Sequence, residues 1–115
     1  MLTLFSAEML HEIMTAYTDS LKTALGDNLI AVVLFGSCAR GDYELYSDTD
    51  VFILVHEETE EVREAVLKAS VKYNWDYEMG IVGFEYTIEH YNRYYYETLF
   101  QNIRKEGKVY YGTLS

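Results

Sequence analysis

Two short runs of unbroken apolar residues, Leu29-Ile30-Ala31-Val32-Val33-Leu34-Phe35 and Val51-Phe52-Ile53-Leu54-Val55, constrain this chain more than any other feature. The first is rich in β-branched residues and is bounded by Asp27-Asn28 and by Gly36. A strand that is apolar at every position is buried on both faces, so this run belongs in the middle of a sheet. The second run begins in acid at Asp50 and ends in grease, which places its polar atoms only at its mouth.

Helical spacing surrounds the two runs. Leu10, Ile13, Met14, Tyr17, Leu21, Ala24 and Leu25 form an amphipathic helix behind a Ser6 N-cap, with Gly26 as its stop. A second helix is capped by Thr59 and carries Val62, Ala65, Val66, Ala69 and Tyr73 on its apolar stripe. From Asp76 to Tyr86 the pattern alternates, which predicts a third strand with Asp76, Glu78, Gly80, Val82 and Phe84 on one face. Thr87 to Glu106 reads as one helix ending at Gly107, and Lys108 to Tyr111 as a short edge strand. The expected fold is α/β (α+β), one domain over residues 1–115 with about four strands.

Composition narrows the function. The formal net charge is -10 and no window is rich in Lys or Arg, so the electrostatic footprint of a nucleic-acid binder is missing. The longest apolar run falls far short of the roughly 20 residues that cross a bilayer. The start Met1-Leu2-Thr3-Leu4-Phe5 lacks the basic and apolar segments of a signal peptide, and the single Cys38 has no internal partner, so a cytoplasmic protein is expected.

Chemistry concentrates between the two runs. Gly36 lets the backbone turn close to a ligand, and Ser37 can cap a following helix while its first amide hydrogens stay free for an anion, which makes a phosphate seat. Asp48 and Asp50 alternate along one strand, so their carboxylates project from one face about 7 Å apart along the chain. Hard oxygen ligands beside a phosphate seat suit Mg²⁺, which binds through one or two carboxylates and the substrate's phosphates. Two such ions about 4 Å apart would stabilise both oxygens of an in-line displacement at phosphorus. As isolated features these acids could equally be solvated loop residues or a helix cap. Asp50, however, runs straight into apolar residues, where an unpaired charge is costly. Arg40 meets either a phosphate or one of the acids Asp42, Glu44 and Asp48. Cys38 reads as a small filler, and His11, His56 and His90 stand singly, without metal-ligand spacing.

The segment Gly36-Ser37-Cys38-Ala39-Arg40-Gly41, followed by Ser47-Asp48-Thr49-Asp50-Val51, resembles the signature of the minimal nucleotidyltransferases (MNT type) of the polymerase-β-like superfamily. Asn102-Ile103-Arg104-Lys105-Glu106-Gly107 with Val109-Tyr110 resembles the closing helix and strand of its small stand-alone members. The resemblance implies a mixed sheet flanked by helices and transfer of a nucleoside monophosphate, AMP from ATP, to a hydroxyl of a protein or small molecule. It gives the triphosphate to Gly36 and Ser37, with Arg40 and Ser47 beside them, and two Mg²⁺ ions to Asp48, Asp50 and a third carboxylate. Glu78 is the candidate for that third group and Asp76 the alternative. Small domains of this kind pair with all-helical HEPN toxins in bacterial toxin–antitoxin modules, which implies a partner protein. The alternative is a non-catalytic module that binds a nucleotide or neutralises a partner by contact.

The chain also holds 12 tyrosines, among them Tyr86, Tyr91, Tyr94, Tyr95, Tyr96 and Tyr110 in its last third. Tyr91 and Tyr95 fit the core face of the last helix. Tyr94 and Tyr96 point elsewhere, which suits either an interface with a partner protein or a second copy, or an over-packed small core.

Overall fold

The computed structural model describes residues 7–36, 48–77 and 80–115. Its elements run α1 (Ala7–Leu25), β1 (Leu29–Phe35), β2 (Asp48–Val55), α2 (Glu60–Tyr77), β3 (Gly80–Thr87), α3 (Ile88–Arg93), α4 (Thr98–Glu106) and β4 (Lys108–Gly112). The four strands form one mixed sheet in the order β3-β2-β1-β4, so the two apolar runs occupy its centre. β1 pairs antiparallel with β2 and with β4, while β2 and β3 are parallel. A parallel pair needs a crossover, and α2 supplies it.

Each apolar run serves two cores because its side chains alternate across the sheet. Val32, Leu34, Val51, Ile53 and Val55 pack on one face against Leu10, Met14, Tyr17 and Leu21 of α1 and Val62 and Val66 of α2. Ala31, Val33, Phe52 and Leu54 pack on the other face against Tyr91, Phe100 and Ile103. Full burial of a Val, Leu or Ile side chain contributes roughly 1.5–3 kcal/mol, so these strands anchor the molecule. Gly83 marks the tightest approach on the first face: a β-carbon there would lie 2.6 Å from Val66 Cγ1 and 2.8 Å from the Tyr17 hydroxyl.

Thr59 caps α2 as expected, its Oγ1 accepting from the Val62 amide at 3.2 Å. Two boundaries differ from the sequence reading. α2 continues to Tyr77, so Asp76 sits in its last turn and β3 begins only at Gly80. The segment read as one closing helix is two, because the chain turns at Tyr94–Glu97, where the Glu97 amide donates to the Tyr94 carbonyl at 2.9 Å. No helix among the described residues is long and apolar enough to cross a membrane.

Candidate functional site

β1 ends at Phe35, which lies opposite Asp50 in the antiparallel register. Gly36 then turns the backbone with φ +79°, a left-handed conformation that glycine adopts without penalty. The turn brings its α-carbon against the Asp50 side chain, and a β-carbon there would lie 2.8 Å from Asp50 Oδ2. The glycine that opens the motif and the carboxylate that closes it therefore meet, although the sequence between them separates them widely. Asp50 is half-buried, at the end of a strand whose next five residues are buried.

Asp48 begins β2 two positions earlier. In the parallel register with β3, Asp48 pairs with Gly80 and Asp50 with Val82. Phe35 and Asp50 share a sheet face with Val82 and Phe84, since directly paired residues project to the same side. The rings of Phe35 and Phe84 meet 5.9 Å apart between centroids, so they close over β2 from its two neighbours. They wall off the Asp50 end of the face from the core around Phe52. Beyond this wall, among the described residues, Val82 and Phe84 are 37% and 38% exposed.

Of the residues singled out by sequence, Gly36 and Asp50 are brought together, and Asp48 is on the strand of Asp50. Ser37, Arg40, Ser47 and Glu78, with Cys38, lie outside the described residues. Asp76 was expected on a strand beside Asp48, but it is an exposed residue of α2, since the helical packing of Val66, Ala69 and Tyr73 carries that helix past it. The described part of β3 presents only Gly80, Val82, Phe84 and Tyr86 to the site's face. Glu85 is on the other face, near enough to Tyr17 to act on its ionisation. Among the described residues no group of three or more His, Cys, Asp and Glu could hold a metal ion. The half-buried Asp50 carboxylate is a hard oxygen donor of the kind Mg²⁺ accepts, one or two of which it takes alongside phosphates.

Two features escaped the sequence reading. The Phe35–Phe84 wall depends on a register that no pattern within one strand reveals. Asn74, in the last turns of α2, acts as a substitute strand at the edge of β3: its Nδ2 donates to the Ile81 carbonyl at 3.2 Å, and its Oδ1 accepts from the Ile81 amide at 2.6 Å. An asparagine late in a helix, ahead of a strand, was the available signal. Two of the three histidines contact tyrosines: His11 Nδ1 lies 3.4 Å from the Tyr110 hydroxyl, and His90 stacks on Tyr86. Burial pushes the Tyr17 phenol up from 10.0 to about 12, with Glu85 adding to the rise and a hydrogen bond with Ser70 opposing it.

Comparison with known proteins adds three findings. Residues 18–110 match the nucleotidyltransferase domain family. A protein of Methanocaldococcus jannaschii with the provisional name protein adenylyltransferase is 41% identical over 71 residues, 61% of this chain and 72% of that one. Among solved structures, a toxin–antitoxin assembly with AMP-PNP has a TM-score of 0.61 at 20% identity, covering 86% of this chain and 73% of its counterpart. The complex of a tri-AMPylated Shewanella oneidensis HEPN toxin with its MNT antitoxin gives 0.59 at 17% identity, covering 91% and 74%. At these identities the structural likeness is one of fold.

Proposed function

The chain belongs to the nucleotidyltransferase domain family, and from that premise we propose that it transfers AMP from ATP to a hydroxyl on a partner protein of the toxin type, with Mg²⁺ as cofactor. The observation that carries this reading is the meeting of the left-handed Gly36 turn with the Asp50 carboxylate beside the start of β2. A bare α-carbon leaves room for a triphosphate to approach a carboxylate closely, and any side chain at that position would take the space. Gly36 and Ser37, with Arg40 and Ser47 nearby in sequence, hold the phosphates. Asp48 and Asp50 hold the cation, and Glu78 is the candidate third carboxylate. When bound, Mg²⁺ supplies charge stabilisation at the attacking and leaving oxygens.

The reaction balances simply. The acceptor oxygen forms a bond to the α-phosphorus of ATP, the bond from that phosphorus to the bridging oxygen breaks, and pyrophosphate departs with the electron pair. The hydroxyl proton passes to solvent or to a nearby base. The names of the M. jannaschii relative and of the AMPylated toxin complex support AMP as the group moved and a protein as the acceptor.

A second reading has one observation in its favour. The β3 residues beside Asp48 and Asp50 are Gly80 and Val82, so the described part of that strand places no acid on the site's face to activate a hydroxyl. A chain of this kind could bind Mg·ATP and act on its partner by contact alone. Incubation with α-phosphate-labelled ATP, Mg²⁺ and a soluble extract of the source cells separates the two. Label on a protein band that disappears in both Asp48→Asn and Asp50→Asn supports transfer at this site. Label that persists in both variants removes these residues from the reaction, and Mg·ATP binding without any label favours the contact reading.

A further inference from the structure

The second half of α2 is apolar on two opposite sides. Val66, Ala69 and Tyr73 face the core, while Leu67, Val71 and Trp75 follow one another at four-residue spacing on the outer side. These three side chains are 64%, 58% and 85% exposed. The first half of the same outer side is acidic, with Glu60 and Glu64 both exposed. A helix face turned to water selects polar residues, and a row of large apolar ones in its place marks a contact surface.

We propose that this face joins two copies of the chain, whose α2 helices pack antiparallel about a two-fold axis. The position of the stripe favours a second copy as the occupant. The point midway between Leu67 and Val71 coincides with the middle of α2, so an axis through it overlaps the two helices along their full length. Leu67 of each copy then meets Val71 of the other, and each Trp75 lies over the first half of the facing helix. Charge supports the same arrangement. Lys72 comes abreast of the second copy's Glu64, and the Trp75 indole N–H has the second copy's Glu60 and Glu64 carboxylates to donate to. In a parallel pair Glu60, Glu64 and Lys72 would each face its own equivalent, and like charges would repel.

Two helices of 18 residues are each about 27 Å long, and packed along that length they remove on the order of 1,000 Å² in total, the lower bound for a specific interface. The net charge of -10 on each copy, and the two Lys68 near the axis, oppose the pairing. A dissociation constant on the order of 10 µM follows. α2 ends at Tyr77, just ahead of Gly80, the β3 residue that pairs with Asp48. The two-fold therefore sends the Asp48 ends of the two copies in opposite directions, and the contact is independent of the reaction performed there.

Trp75 is the chain's single tryptophan, so its emission reads the contact directly. As the protein is concentrated from about 1 to 300 µM, its mass by sedimentation equilibrium should rise from 13.4 kDa toward twice that value, and the emission should move to the blue as the indole leaves water. A mass that stays at 13.4 kDa or climbs past the dimer, or a dimer with unshifted emission, overturns the proposal. Val71→Glu and Leu67→Gln change exposed positions and should each weaken association about tenfold or more, with the urea midpoint of the dilute protein unchanged. Association untouched by both places the contact elsewhere and refutes this face. Lys72→Glu should weaken the dimer about threefold, and adding Glu64→Lys should restore it. A double variant as weak as Lys72→Glu alone overturns the antiparallel arrangement.

Discussion

At Gly36 the backbone holds φ +79° and the α-carbon faces the Asp50 carboxylate, so a single methyl group tests two consequences at once. Gly36→Ala should cost about 1–2 kcal/mol for the left-handed backbone, read as a lower urea midpoint. It should also weaken Mg·ATP binding by displacing Asp50, whereas an alanine protein with unaltered nucleotide affinity would argue against the seat. A second residue-scale test uses Tyr17. Its folded pKa is raised from 10.0 to about 12 chiefly by burial, so the neutral phenol is the form the fold favours. The unfolded chain loses this proton from pH 10 upward and the folded chain only near pH 12. The stabilisation is therefore complete below pH 10 and is lost between pH 10 and 12, a fall of about 3 kcal/mol. Tyr17→Phe should flatten that alkaline limb in urea titrations stepped through this range, and an unchanged limb would assign it elsewhere. The motif residues Gly36 and Asp50 were legible because glycine after a buried strand, and acid at the head of another, contradict what burial alone would select. The contact between them was not, since it depends on the Phe35–Asp50 register.

The elements were legible where periodicity and burial agree. β1 matches its apolar run residue for residue, and α1 and the start of α2 follow their stripes and caps. Two errors arose where local pattern and packing disagree. Tyr77, Met79 and Ile81 alternate with polar or small residues, which imitates a strand, yet buried Tyr73 keeps the chain helical through Tyr77. The closing helix was read as one element from Thr87 to Glu106, but the chain turns within it at Tyr94–Glu97, and Tyr91 and Phe100 are buried on either side of that turn. Arg104 clasps that turn: its Nη1 donates to the Tyr91 hydroxyl at 2.9 Å, its Nη2 to the Tyr95 carbonyl at 2.6 Å, and its guanidinium lies 3.7 Å from the Tyr95 ring centroid. A lysine has neither the fork nor the planar face, so Arg104→Lys should cost about 1–2 kcal/mol by urea unfolding. β3 has its own test. Asn74→Ala leaves the Ile81 amide and carbonyl without these partners, and a loss of about 1–3 kcal/mol is expected. Amide exchange at Ile81 and Val82 should speed up while the centre of β1 stays protected.

At the scale of the molecule, 19 acidic residues against 9 basic ones make the chain repel itself and repel polyanions. Sodium chloride should raise the urea midpoint by screening that repulsion. This imbalance was readable from composition, and it agrees with a protein or nucleotide rather than a nucleic acid as the partner. Sequence reached the family and the order of most elements. It did not reach the surroundings of Asp50, with the Gly36 turn on the β1 side and Val82 and Phe84 on β3, because strand order is set by how all the elements pack together. The central claim is that this one centre moves a nucleoside monophosphate and releases pyrophosphate. It is tested most directly by giving the protein, with Mg²⁺ and its acceptor, ATP labelled either at the α- or at the γ-phosphate. The account predicts α-label on the acceptor, γ-label released as pyrophosphate, and neither event with Asp50→Asn. Label from the γ-phosphate on the acceptor, or α-label transfer undiminished in Asp50→Asn, would contradict it.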